Sequence, residues 1–193
     1  MRLIIVVLMS ILMSNVSAQS FGLKGGIAMT NSVGADVKDN SSRTGFYFGG
    51  FMKLSEGNNI QYMPHIIFHQ KGGKVDTSST ENEVVLNYID LGMNANFHIN
   101  DELYLAVGPY LGYLVSGVRK TTVSGETDSE SISDNDWDDY NRTEFGANLG
   151  VGYNINDLFN VNFSYGLAFT DVKDDISERN TSIQIGIGYV FAY

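Results

Sequence analysis

The last residues of the chain, SIQIGIGYVFAY at 182–193, place Ile183, Ile185, Ile187, Tyr189, Phe191 and Tyr193 on one parity and Ser182, Gln184, Gly186, Gly188, Val190 and Ala192 on the other. Successive side chains of a β-strand point to opposite faces, so such a stretch is a ribbon with one oily edge and one small or polar edge. Seven earlier stretches repeat the pattern. Phe21, Leu23, Ile27 and Met29 oppose Gly22, Lys24, Gly26 and Ala28, and Phe159, Val161, Phe163, Tyr165, Leu167 and Phe169 oppose Asn160, Asn162, Ser164, Gly166 and Ala168. The other five lie near 46–54, 60–69, 84–99, 103–115 and 144–153.

The composition of the second face decides what such ribbons build. A soluble sandwich or a lipocalin-like barrel would turn the apolar face inward and carry abundant Lys and Glu on the other. Here the second face is mostly Gly, Ala, Ser, Asn and Tyr, with isolated charges at Lys24, Lys53, Asp90 and Glu144. Both faces are thus shielded from water, one against hydrocarbon and one inside a tight polar space. The pattern predicts an all-β fold, an eight-stranded antiparallel up-and-down transmembrane β-barrel. Backbone groups in lipid have no water to bond, which requires the strands to close edge to edge.

The connections support this reading. Longer polar stretches near 31–43, 71–82, 118–141 and 171–179 alternate with short turns at 55–59, 100–102 and 154–157. Long loops on one side and short turns on the other are the outer-membrane barrel pattern, with both termini in the periplasm. Pro64 and Pro109 fall inside two ribbons, where each removes a ladder donor and predicts a bulge or a strand end.

The N-terminal segment MRLIIVVLMSILMSNVSAQS reads as a cleaved secretory signal at 1–18, followed by a barrel at 19–193. Its apolar run is too short to span a bilayer as a helix. Without residues 1–18 the chain carries 11 bases against 22 acids, Arg2 being the only charge removed. That balance argues against nucleic acid, whose phosphates need clustered Lys and Arg. No cysteine is present, so neither disulfides nor thiolate ligands are available.

Candidate chemistry is sparse. An eight-stranded barrel is filled by its own side chains, so Lys24, Lys53, Asp90 and Glu144 are expected to pair across the lumen. His65, His69 and His98 take inward positions, and His65 is expected near Asp90, an arrangement that can orient a general base. No serine motif, oxyanion constellation or metal set accompanies it, so the protein is read as a non-enzyme without cofactor. An outer-membrane barrel enzyme acting on lipid or peptide is the alternative. The loop GETDSESISDNDWDDY at 125–140 holds seven acids, with Asp134, Asp136 and Asp138 spaced by two around Trp137. This has the spacing that opens a calcium loop, but no Gly stands at the sixth place and Phe145 takes the twelfth. A solvated acidic loop, contacting a partner or weakly bridged by divalent cations to lipopolysaccharide, is the expectation.

FGLKGG at 21–26, QYMPHIIFHQKGG at 61–73, LNYIDLG at 86–92, GPYLGYLVSG at 108–117, FGANLGVGY at 145–153 and the closing QIGIGYVF together resemble the PorT-like outer-membrane β-barrel family of Gram-negative bacteria. His65 stands where that family usually has Glu, and Gly92 where it usually has Pro. The resemblance implies a barrel in the outer membrane. From its own residues the chain is expected to contact membrane lipid and lipopolysaccharide, in a role that is structural, adhesive or accessory to a secretion or envelope complex, with a protein partner at the 118–141 loop. The last ribbon also resembles the C-terminal signal read by the barrel-assembly machinery, carried here by Ile185, Ile187, Tyr189, Phe191 and Tyr193.

Overall fold

A computed structural model describes residues 19–35, 40–56, 59–77, 80–132, 140–173 and 177–191. The expected export segment at 1–18 lies outside them. Eight long antiparallel strands form the wall: β1 (Gln19–Val33), β3 (Arg43–Glu56), β4 (Ile60–Thr77), β5 (Thr80–His98), β6 (Leu103–Val123), β8 (Thr143–Asn154), β9 (Phe159–Ala168) and β10 (Arg179–Val190). Two short strands, β2 (Asn40–Ser41) and β7 (Glu126–Ser131), attach to β4 and β6. Each long strand pairs with its sequence neighbour, and β1 pairs with β10 from Gly22↔Val190 to Val33↔Arg179, which closes the ring. The last ribbon therefore seals the barrel against the first, as the sequence pattern requires.

The two faces of the wall separate as the parity predicts. Leu23, Ile27, Ile66, Leu91, Leu149 and Ile185 point outward and are more than half exposed, whereas Tyr47, Tyr88, Asn96 and Asn180 inside are nearly inaccessible. The inner face packs by pairing large with absent side chains. Tyr104 is registered opposite Gly152, Tyr110 opposite Gly146, Phe51 opposite Gly22 and Asn160 opposite Gly188. In each case the bulky group lies where the glycine's Cβ would stand. The inward glycines thus make room for rings in a barrel whose bore is about one layer of side chains wide.

The wall is taller on one side. β4, β5 and β6 have 18, 19 and 21 residues against 10 for β9. A tilted transmembrane strand needs about 9–11 residues, so roughly half of each tall strand stands beyond the hydrocarbon. This corrects two of the expected loops: 71–82 is chiefly a continuation of β4 and β5, and 118–141 contains the end of β6 and all of β7. Gly72, at φ 118°, starts the β4 extension in a backbone region that L side chains rarely adopt.

Neither proline ends a strand or makes a bulge. The β3–β4 register is the same on both sides of Pro64, as is the β5–β6 register around Pro109, and pairing lapses locally between. Pro64 and Pro109 fall at the level of Met93 and, with Met52 and Leu111, line an outward apolar notch of about 520 Å³. The bulge lies higher, where Leu114 pairs Tyr88 and Ser116 pairs Asn87, leaving Val115 as the extra residue.

Candidate functional site

The lumen is plugged by an ion cluster built from five strands. Lys71, in phase with His69 on β4, sends Nζ to Asp90 Oδ2 on β5 at 2.9 Å and to Glu144 Oε1 on β8 at 2.6 Å. Asp90 also accepts from His69 Nδ1 at 3.1 Å, which places the proton on that nitrogen because an ionised carboxylate has none to give. Glu144 accepts from Tyr110 Oη at 2.8 Å and from Asn180 Nδ2 at 2.6 Å. The Lys71 ammonium lies 4.8 Å and 4.5 Å from the centres of the Tyr88 and Tyr110 rings. Above the cluster, Leu86, Tyr88, Leu114, Ile132, Tyr140 and Val172 pack as an apolar cap. Ile132 reaches it because Gly117 leaves space below its side chain.

The structure brings Asp90 and Glu144 together, but through Lys71 and not through Lys24 or Lys53. Lys24 lines two small cavities of about 30 and 20 Å³ below the cluster. Each has room for on the order of one water, and the described residues around them fill the bore. Lys53 is half-buried at the short-turn rim, remote from Asp90. His69 replaces His65 as the partner of Asp90. His65 sits opposite Gly92, with Nδ1 3.2 Å from the Met63 carbonyl oxygen. His98 is only partly buried and lies against Tyr104, ring centres 5.5 Å apart.

As a catalytic pair, His69 and Asp90 lack a third member. His69 Nε2 has no hydrogen-bond partner, so Ser164, which lines the same cavity, is not engaged. The apolar cap separates both groups from the long-loop rim. Among the described residues no group of His, Asp and Glu has the arrangement of a metal site.

At the long-loop rim the groups face water. β6 and β7 form a hairpin closed by Ser124 at φ 54° and Gly125 at φ 88°, a two-residue turn with both positions left-handed. Glu126, Asp128 and Glu130 occupy alternate positions on β7, all exposed. Nearby, Arg43 Nε donates to Glu83 Oε1 at 2.7 Å, and Lys120 Nζ approaches Glu83 Oε2 at 3.4 Å. Burial pushes the Glu83 carboxyl up, but the hydrogen bond and charge of Arg43, with Lys120 behind it, outweigh this and hold it below the ordinary value. Asp134, Asp136, Trp137 and Asp138 lie outside the described residues, as does Tyr193. Tyr189 and Phe191 point outward, their ring centres 5.6 Å apart.

Sequence reasoning missed Lys71. QKGGK at 70–74 reads as a turn, yet position 71 continues the inward parity of His65 and His69, and that phase was the available signal.

Residues 15–174 match the sequence model of a family described as the outer membrane protein beta-barrel domain. The fold is similar to that of Ail, the attachment invasion locus protein of Yersinia pestis, at 16% identity over 91% of this chain and 100% of that one, with a TM-score of 0.54. The same values hold for Ail in complex with the heparin analogue sucrose octasulfate. Neisserial surface protein A matches at 13% identity, again over 91% and 100% of the two chains and with a TM-score of 0.54. No curated protein matches the sequence.

Proposed function

Since the chain belongs to the outer membrane protein beta-barrel domain family and lies in the outer membrane with its apolar wall in lipid, we propose that it is a non-enzymatic, PorT-like barrel that holds an acidic binding surface outside the cell. Residues 1–18 are its export signal, and the alternation ending at Tyr189, Phe191 and Tyr193 is read by the barrel-assembly machinery. The observation that carries the reading is the closure of the lumen: Lys71, Asp90 and Glu144 saturate one another beneath the apolar cap. A barrel closed in this way offers neither a diffusion path nor a reachable His69, so its work falls to the rim.

The tall side of the barrel supports the same conclusion, because strands β4 to β7 carry their polar ends well clear of the lipid. The charge there selects the partner. Ail has been solved with a sulfated sugar analogue, but the acids Glu126, Asp128 and Glu130 would repel such a ligand. The surface suits a protein partner, in an adhesive or accessory role. Replacing residues 124–131 by a Gly-Ser segment of equal length, which keeps Ile132 in the cap, should leave the barrel folded, as judged by heat-modifiable gel mobility, and should abolish recovery of envelope or surface partners from native outer membranes. Undiminished recovery would refute the binding role. Hydrolysis of lipid or peptide by the wild type that His69→Ala abolishes would establish the enzyme instead.

A further inference from the structure

Among the described residues, β7 is hydrogen-bonded on one side only. Its register runs with β6 from Val118↔Ser131 to Val123↔Glu126, and among the described residues no strand covers its other edge. All six of its side chains are exposed. Among the described residues the outer row of β7 amide and carbonyl groups is therefore unpaired, and the left-handed turn at Ser124 and Gly125 holds the hairpin ready in the extended form. Such an edge is a template on which another extended chain can add as a strand.

Its side chains define what that chain must be. Glu126, Asp128 and Glu130 share one face at a spacing of two, and none forms an ion pair among the described residues, although Arg119 is registered opposite Glu130. Thr127 and Ser129 occupy the other face, with Thr127 hydrogen-bonded to Thr122 at 2.9 Å. A second copy adding its own β7 would set acids against acids, and like charges directly opposite are unfavourable. An added strand with Lys or Arg at every second position would place each base beside one of the three carboxylates.

We infer that the free edge of β7 is a β-augmentation site for an extended, basic segment of another protein, read by main-chain hydrogen bonds and by the alternating acids Glu126, Asp128 and Glu130. The inference rests on the proposed binding role of the 118–141 loop and specifies its partner class and mode. The row of backbone groups supplies affinity with little dependence on sequence, while the carboxylates set register and reject acidic chains.

The test uses the full chain in lipid nanodiscs and a fluorescent seven-residue peptide with Lys at alternate positions. Three controls accompany it: the same composition with the lysines contiguous, the alternating peptide N-methylated at every second amide on its pairing edge, and the same peptide N-methylated on the opposite edge. Polarisation should show saturable binding of the alternating peptide. Methylation of one edge should weaken it by about tenfold or more while methylation of the other changes it little, because a methylated amide cannot donate. The triple variant E126Q/D128N/E130Q should also lose about tenfold, with unchanged gel mobility. Equal binding of both methylated peptides would overturn strand addition and leave electrostatic attraction alone. Absence of binding by the alternating peptide at about 1 mM, near the weak limit of specific affinity, would overturn the inference. If replacing 124–131 abolishes partner recovery while the peptide fails, the loop binds by another mode; if the replacement has no effect, the binding role itself fails.

Discussion

The outer and inner faces of this wall are made by the same strands yet obey different rules. Outside, Ile27, Leu91, Leu149 and Ile185 meet fluid hydrocarbon, so what counts is that each is apolar. Inside, Tyr104 needs the space above Gly152, and Lys71 needs both Asp90 and Glu144. The outer face is defined by a class of residue and the inner face by particular neighbours. Position along a strand therefore says little about tolerance to substitution, whereas parity says a great deal.

The strongest way to break the comparison is to remove the central cation. Lys71→Met should destabilise the barrel by about 3–5 kcal/mol, because Asp90 and Glu144 would remain buried without their shared partner. Adding Glu144→Gln to that variant should restore part of the loss, and guanidinium unfolding in detergent micelles reads both effects. A cost below about 1 kcal/mol, the range of an exposed pair, would show that the lumen is wetter than the inner-face rule requires. A charge on the outer face comes next. Ile185→Arg should cost about 2–4 kcal/mol near mid-membrane, while Val123→Arg, on the part of β6 beyond the lipid, should stay within about 0.5 kcal/mol. Equal costs at the two positions would place the membrane boundary wrongly.

Overpacking follows. Gly152→Leu should cost about 1–3 kcal/mol, since the new side chain and the Tyr104 ring claim one volume. In the Tyr104→Ala background the same change should cost much less, a coupling that unfolding curves of the four proteins measure. Additive effects would mean that the ring does not depend on the glycine.

The two faces were also unequally legible. The outer one could be read directly, because the period of two runs from Phe159 to Phe169 and from Ile183 to Phe191 without a break. Asp90 and Glu144 stood out as lone charges on an otherwise small-residue face. Their cation did not, for a physical reason: Gly72 and Gly73 beside Lys71 signal a turn in local terms, and only the ring of tertiary pairings carries β4 on to Thr77. His65 and His69 are equivalent by parity. The register alone sets His65 against Gly92 and leaves Asp90 within reach of His69. The upper limit of β6 was hidden in the same way, since the extra residue Val115 shifts the alternation in mid-strand.

The smallest expected effect sharpens the comparison at its boundary, where the inner-face rule gives way to water. Glu83, joined to Arg43 and approached by Lys120, is specific in its partners but partly exposed, so Glu83→Gln should cost no more than about 1 kcal/mol at neutral pH. Its carboxyl is held below the ordinary 4.5 in the folded barrel. The unfolded chain therefore takes up the proton first as the solution is acidified, and protons favour unfolding. The stabilisation is fully present above about pH 4.5, the ordinary value, and is lost as pH falls through the depressed one. The difference in unfolding free energy between wild type and Glu83→Gln should accordingly be flat at neutral pH and close on acidification. A difference that grows with acid would mean that the folded barrel binds the proton more tightly than the unfolded chain, and the Arg43 pairing could then not be what sets this carboxylate.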